Sequence, residues 1–145
     1  MKICIMVGTY RTTSLKQIDC LRQKGYEVRK PPSESSTEVA VYAFRLDRDK
    51  CYLTSDFIIS LERYDAVILS GGETASTILN LTRFHYLENV KGPSPLVSAA
   101  TIKGGTLDGK IVLLKGGLVG DDDIYLNLIS WLEHKYAVSS NSRRS

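Results

Sequence analysis

Three apolar runs of this sequence end in glycine, and hydroxyl-bearing residues lie close to those glycines. The runs are IMVG, ending at Gly8, ILSGG, ending at Gly71 and Gly72, and LLKGG, ending at Gly116 and Gly117. The nearby hydroxyl residues are Thr9, Thr12, Thr13, Ser14, Ser70 and Thr74. Glycine lets a ligand oxygen approach backbone amides, and hydroxyl groups donate hydrogen bonds to it. The combination suits a phosphate group, although a glycine after a strand can also serve only as a turn.

The charged residues near these glycines each allow two interpretations. Glu73 could reach a metal ion or a ribose, or could stabilise its own helix as a first-turn acid. Lys115 could neutralise a phosphate charge, or could be a strand-end lysine that reaches into solvent. Asp121–Asp123 could hold Mg²⁺ near phosphates, or could stabilise a helix N-terminus. His85 and His134 have no Ser, Cys or Asp partner at a spacing typical of a catalytic or metal site, so no hydrolytic triad or zinc site is predicted.

The elements that must position these residues alternate between strands and helices. We predict strands at Lys2–Val7 and in the segments YEVR, EVAVYAF, DAVILS and KIVLL, with helices that begin near Ser14, Thr54 or Ser55, Glu73 and Ile124. Such alternation is typical of a mostly parallel sheet covered on both faces, so we expect a Rossmann-like, three-layer α/β/α sandwich. Ligands bind beyond the carboxyl ends of parallel strands. We therefore expect the three glycine loops to converge on one cleft.

Three local patterns give more detailed predictions. Ser14, with Gln17 three residues later, matches a capping box at a helix N-terminus. The segment RLDRDK is predicted to be a polar turn. The segment VKGPSPLVSAATIKGG is rich in Gly and Pro and is predicted to be irregular.

The composition fits one soluble globular domain. The chain has 145 residues, 43% hydrophobic and 24% charged, and no run of 18 apolar residues that would span a membrane. We expect a single domain over residues 1–138 and a flexible tail over residues 139–145. The net charge of +3 comes without a basic stripe interleaved with aromatics, so a nucleic-acid partner is not expected.

The three cysteines favour a reducing compartment. Cys4, Cys20 and Cys51 match no metal-binding spacing, and an odd number argues against a disulfide framework. We therefore expect a cytoplasmic protein.

Several motifs resemble the C-terminal, nucleotide-binding domain of the four-carbon acid sugar kinase family. They are VGTYRTTSLKQIDCL, SGGETASTIL and LLKGGLVGDDDI, in that order, and they cover nearly the whole chain. Gly8, Thr9, Ser14 and Gln17 resemble the family's positions after the first strand and on the helix that follows. The resemblance extends to the family's Gly-Gly-Asp/Glu-Thr and Lys-x-Gly-x-x-Gly motifs, through Gly71, Gly72, Glu73 and Thr74 and through Lys115, Gly116, Gly117 and Gly120. Arg11 departs from the family, which usually has a small hydroxyl residue there.

The resemblance implies an ATP-binding domain whose cofactors are ATP and Mg²⁺. The residues that it implies for nucleotide binding are Thr9, Gly71, Gly72, Glu73, Thr74, Lys115, Gly116 and Gly117. The family's substrate domain has no counterpart in this sequence, so phosphoryl transfer to a sugar acid would need a separately encoded partner. The alternative is a stand-alone nucleotide-sensing or interaction module without catalysis. Either form is compatible with a homo-oligomer.

Overall fold

The structure, a computed structural model, describes the backbone of residues 1–8 and 11–144 and the side chains of residues 1–8 and 11–136. The strands are β1 (Ile3–Val7), β2 (Val28–Arg29), β3 (Val39–Ala43), β4 (Ala66–Ser70), β5 (Tyr86–Ser94), β6 (Val97–Lys103) and β7 (Ile111–Lys115). Within the described residues they form one seven-stranded sheet in the order β2-β3-β1-β4-β7-β6-β5. Five neighbouring strands are mutually parallel, namely β2, β3, β1, β4 and β7. Strand β6 runs antiparallel to β7, and β5 runs antiparallel to β6.

Helices cover both faces of the sheet. They are α1 (Thr12–Gln23), α2 (Leu46–Asp49), α3 (Ser55–Ser60), α4 (Gly72–Leu81) and α5 (Ile124–Arg144), with short 3₁₀ turns at Lys50–Tyr52 and Leu61–Arg63. The side chain of Thr54 caps α3 by accepting the Phe57 N–H at 3.2 Å, and Thr54 is one of the two cap residues, with Ser55, that the sequence allows. Residues 139–144 continue α5, and the flexibility predicted for this segment stays a prediction.

Two apolar cores lie on opposite faces of the sheet because successive strand residues point to opposite sides. In β1, Ile3, Ile5 and Val7 pack in one core, whereas Cys4 and Met6 pack in the other. The first core includes residues of α1 and α5, and the second includes residues of α3 and α4. The predicted three-layer α/β/α sandwich with a mostly parallel sheet is therefore confirmed.

The prediction that the segment VKGPSPLVSAATIKGG is irregular is wrong, because its residues form most of the antiparallel hairpin of β5 and β6. Gly92 and Pro93 of this segment are compatible with the hairpin. A side chain at Gly92 would collide with the Val97 carbonyl oxygen, so the strands approach closely at a bulge. Pro93 lies on β5, an edge strand, where a missing N–H is tolerated.

Two further local predictions differ from the structure. The segment RLDRDK contains the one-turn helix α2 rather than only a turn, and the Asp49 carboxylate accepts the Arg45 N–H at its start, at 2.9 Å. Helix α1 begins at Thr12, and its N-cap residue, Arg11, provides no side-chain cap. The prediction that Ser14 and Gln17 form a capping box is therefore wrong.

The described part of the chain contains no helix that is both long and apolar enough to cross a membrane. Cys4, Cys20 and Cys51 are all free thiols, and Cys4 is fully buried. Burial raises the pKa of the Cys4 thiol well above its usual range, so it behaves as a small core residue.

Candidate functional site

The three glycine loops meet in one cleft of about 810 Å³ beyond the carboxyl ends of β1, β4 and β7. We call it the glycine cleft. It is lined by Gly8, Arg11, Leu46, Asp47, Gly71, Gly72, Glu73, Thr74, Gly116, Gly117, Leu118 and Val119. The predicted convergence of the loops is confirmed. Of the residues predicted to bind nucleotide, Thr9 lies outside the described residues and Lys115 lies beneath the cleft.

The glycine cleft lies where the connections of the sheet change direction. After β1 the chain continues to β2 and β3 on one side, and after β4 it continues to β5, β6 and β7 on the other. The neighbours β1 and β4 therefore define a topological switch point, with Gly8 following one strand and Gly71 the other. Open α/β sheets bind their ligands in the crevice at such a point.

The start of α4 places unpaired backbone donors in the cleft. Gly71 is the N-cap with a φ of 97°, a backbone conformation that favours glycine, and its N–H donates to the Lys115 carbonyl at 2.8 Å. The Ala75 N–H closes the first helical turn onto the Gly71 carbonyl. The N–H groups of Gly72, Glu73 and Thr74 precede this bond and have no acceptor within the helix. No side chain of the described residues caps the helix either, so these amides and the helix dipole favour an anion.

Gly8 is needed because the side chain of Thr74, which is only 2% exposed, packs directly against it. A Cβ atom at position 8 would collide with Thr74 Oγ1, whereas a Cβ at Gly72 would meet no atom of the described residues within 4 Å. The contact joins the β1 end to the first turn of α4. It therefore sets the spacing between two of the three loops.

We expect Gly8→Ala to lower the free energy of unfolding by about 1–3 kcal/mol through this collision. Removing the obstructing hydroxyl in Gly8→Ala/Thr74→Ala should restore part of the loss. Gly72→Ala is the matched control and should change stability by less than about 0.5 kcal/mol. Urea unfolding curves measure all three, and equal values for Gly8→Ala and Gly72→Ala would contradict the packing role.

Helix α1 anchors the third loop, residues 116–121, from below. Ser14 Oγ donates to the Gly117 carbonyl at 3.0 Å. Gln17 Nε2 lies 3.1 Å, 3.1 Å and 3.2 Å from the carbonyl oxygens of Val119, Gly120 and Asp121. Both side chains are fully buried, which explains why they do not cap their own helix.

Lys115 also supports this loop, and of its two interpretations the one that has it reach into solvent is wrong. The side chain is 2% exposed, and Nζ donates to the carbonyls of Gly116 at 2.7 Å and Val119 at 3.0 Å. Nζ also lies 5.4 Å from the centre of the Tyr125 ring. Burial lowers the Lys115 pKa to about 8. A direct contact between Lys115 and a phosphate stays a prediction.

The buried side chains orient the amides of the loop. In a planar trans peptide the C=O and N–H groups point in opposite directions. The carbonyls of Gly116, Gly117 and Val119 accept hydrogen bonds from Lys115, Ser14 and Gln17 beneath the loop. The N–H groups of the residues that follow, Gly117, Leu118 and Gly120, therefore point away from these side chains. Successive amides on one side of a loop form a concave anion site.

The cleft also contains three charged side chains, those of Arg11, Asp47 and Glu73. Hydrogen bonds from Arg45 are the main cause that lowers the pKa of Asp47, and the two side chains form an ion pair at 2.9 Å. Sequence reasoning missed Asp47 and the adjacent Leu46 because it sought glycine at strand ends. The available signal was their position just beyond the apolar run EVAVYAF, which forms β3 and lies beside β1.

Asp121–Asp123 lie outside the glycine cleft, in a neighbouring recess of about 620 Å³. They share this recess with Thr12, Thr13, Lys16, Cys20 and Gly120. The Ile124 N–H donates to the Asp121 carbonyl at the start of α5, as expected of residues at a helix N-terminus. Among residues 1–8 and 11–136, no three His, Cys, Asp or Glu side chains are grouped closely enough to hold a metal ion.

The fold places the chain in the class of open α/β domains with a mostly parallel sheet, and the glycine cleft lies at the carboxyl edge of its parallel strands. No family model matches the sequence, and no curated protein matches it. Solved structures do match the fold. A DUF1537 protein from Bordetella bronchiseptica, a domain-swapped dimer with bound citrate, gives a TM-score of 0.71 at 21% identity over 86% of this chain and 37% of its own.

Two further structures are similar to lesser degrees. Haemophilus influenzae protein HI1011, also assigned to DUF1537, gives a TM-score of 0.57 at 17% identity, with 85% of this chain and 38% of that chain covered. A Salmonella typhimurium LT2 protein described as a candidate tRNA synthase gives 0.59 at 13% identity, with 86% and 39% covered. This chain therefore spans less than two fifths of each neighbour, and the likeness establishes the fold.

Proposed function

We propose that the chain is an ATP-binding domain similar to the nucleotide-binding half of a four-carbon sugar acid kinase. DUF1537, the family of two structural neighbours, is the four-carbon acid sugar kinase family. The observation that carries the proposal is the convergence of the three glycine loops at the switch point between β1 and β4.

The phosphates would be held mainly by backbone amides. The first turn of α4 supplies the N–H groups of Gly72, Glu73 and Thr74 from one side. The loop supplies those of Gly117 and Leu118 from another. Phosphoryl-transfer proteins rely on positioned donors of this kind, because the reaction depends on positioning and charge stabilisation. In this proposal Lys115, Ser14 and Gln17 hold the loop, and Arg11 is the described cation on the cleft wall.

Magnesium fits the cleft only together with the nucleotide. Mg²⁺ commonly binds through one or two carboxylates, several waters and the phosphates of the substrate. Glu73 and Asp47 are the carboxylates on the cleft wall, and they would hold the ion in this way. When bound, the ion would neutralise charge on the phosphates.

Calorimetry with ATP, ADP and adenosine, each with and without Mg²⁺, tests the proposal. We expect saturable ATP binding, and at least tenfold weaker binding of adenosine because it lacks the phosphates that the amides would hold. Equal heats for ATP and adenosine, or no binding of ATP, would contradict it.

The second candidate is a nucleotide-sensing or interaction module without catalysis. The ion pair between Asp47 and Arg45 at 2.9 Å supports it, because this pair engages one of the two carboxylates on the described cleft wall, and the other, Glu73, lies in the first turn of its own helix. We expect no acceptor-dependent ADP release from this chain with ATP, Mg²⁺ and a panel of four-carbon sugar acids.

Adding a candidate substrate domain to the same assay separates the two proposals. Turnover only in the mixture would support the kinase half, and ATP binding without turnover in any mixture would support the sensing module. Acceptor-dependent turnover by the chain alone would show that both proposals miss a catalytic site. We further propose a cytoplasmic location. We also propose that the chain forms a homo-oligomer, and sedimentation of the purified chain tests its oligomeric state.

A further inference from the structure

A second cavity lies beside the glycine cleft, beyond the carboxyl ends of β2 and β3. Its volume is about 230 Å³. Helix α2 contributes to both places, with Leu46 and Asp47 lining the glycine cleft and Arg48 and Asp49 lining this cavity. We call it the basic cavity. It is lined by Leu15, Ile18, Arg22, Val28, Arg29, Lys30, Ala43, Phe44, Arg45, Arg48 and Asp49.

Most of the charged side chains that line the basic cavity are basic. Among the described residues that line it, five are basic and one, Asp49, is acidic. The Asp49 carboxylate is already used by the protein, since Oδ2 accepts the Arg45 N–H at 2.9 Å and Oδ1 lies 3.4 Å from Arg48 Nε. Three of the basic residues also pair with carboxylates next to the cavity, so an anion would have to replace these partners to bind there. The pairs are Arg22 with Asp19, Arg29 with Glu27 and Arg45 with Asp47.

The arginines of the rim can exchange their present partners for a ligand. Arg22 pairs with Asp19 at 3.0 Å, and the two side chains are 56% and 61% exposed. Arg29 pairs with Glu27 at 3.1 Å, and the Glu27 side chain is 63% exposed. Ion pairs at the surface contribute little to stability, so a bound anion could replace these partners at little cost. A guanidinium group can also hold a phosphate or carboxylate through two parallel hydrogen bonds.

The inner wall of the cavity is apolar and does not suit a bare inorganic ion alone. Ile18 and Phe44 are almost completely buried there, whereas Leu15, on the same helix as Ile18, is 48% exposed. Apolar side chains beside a ring of guanidinium groups match a molecule with an apolar body and an anionic end. The volume limits that body to a small ring or short chain.

We propose that the basic cavity binds a small organic anion, with its phosphate or carboxylate on the arginine rim and its body against Leu15 and Phe44. This site is separate from the glycine cleft and does not depend on nucleotide binding there. Because Arg45 lines the cavity and pairs with Asp47 of the cleft, an anion that engages Arg45 would also change the charge facing the cleft.

Amide chemical-shift mapping of the full chain with phenyl phosphate tests the proposal, with benzoate as the carboxylate probe and benzyl alcohol as the neutral probe. We expect saturable shifts centred on Leu15, Ile18 and Phe44 with at least one of the two anions, and none with benzyl alcohol. The preferred anion identifies the ligand chemistry. Shifts with benzyl alcohol of equal size, or shifts confined to the glycine cleft, would overturn the proposal.

Charge-matched variants show whether the rim is responsible. Arg29→Gln/Lys30→Gln should weaken the anion at least tenfold. Lys24→Gln/Lys91→Gln removes the same charge from exposed positions outside the cavity and should weaken it less than twofold. Thermal unfolding establishes that both variants are folded. Equal weakening in the two variants would contradict a specific site, whereas loss of ATP binding alone would bear only on the glycine cleft.

Discussion

Gly72→Val should remove ATP binding and leave the fold intact. Within the part of the chain that the structure describes, a Cβ at position 72 meets no atom within 4 Å. The backbone there also lacks the positive φ that strains residues other than glycine, so we expect the fold to accept the side chain. The isopropyl group would then occupy space beside the first amides of α4, where we propose the phosphates bind. We expect the affinity for ATP to fall at least 100-fold, or about 3 kcal/mol.

The control for this variant is Ser76→Val, which places the same side chain on an exposed position of α4. Calorimetry should give an unchanged ATP affinity for Ser76→Val, and thermal unfolding should show that both variants are folded. An unchanged affinity in folded Gly72→Val would contradict phosphate binding at this turn.

Lys115 should contribute a rise of about 2 kcal/mol to the free energy of unfolding between pH 7 and pH 9.5. Its pKa is lowered from 10.5 to about 8 in the folded protein, so the unfolded chain binds more protons in this range. Stability therefore increases as the pH rises through 8 and the buried ammonium group becomes neutral. Below pH 8 the side chain is charged in both states, and its burial lowers stability.

The matched variant Lys115→Met lacks this proton and should lack this part of the pH dependence. The carbonyls of Gly116 and Val119 keep other donors, the Val119 N–H and Gln17 Nε2, so the variant can fold. Buried groups with raised pKa values, such as Cys4 and Tyr125, act in the opposite direction but equally in both proteins. Urea unfolding at several pH values measures the difference, and parallel pH profiles would contradict the account of Lys115.

The parallel part of the fold and the position of the cleft are predictable from local sequence signals. Each of the runs that end at Gly8, Gly71 and Gly116 is a short apolar segment followed by a turn residue, as buried parallel strands require. Once the strands are parallel, their glycine ends must share one edge of the sheet. No long-range information is needed for that step.

The errors occur where distant contacts decide the local structure. Ser14 and Gln17 match a helix cap in sequence, yet they bind a loop about 100 residues further along the chain. Gly92 and Pro93 are residue types typical of loops, yet they lie on the edge strand β5, which is held by its pairing with β6. Lys115 is buried because loop carbonyls surround its ammonium group, which its neighbours in sequence do not indicate.

Amide chemical-shift mapping with ATP and Mg²⁺ tests the central claim most directly, because it locates the nucleotide as well as detecting it. The account predicts the largest shifts at Gly8, Gly72, Thr74, Gly117 and Leu118, and their loss in Gly72→Val. Saturable ATP binding with its largest shifts elsewhere on the chain would contradict the account.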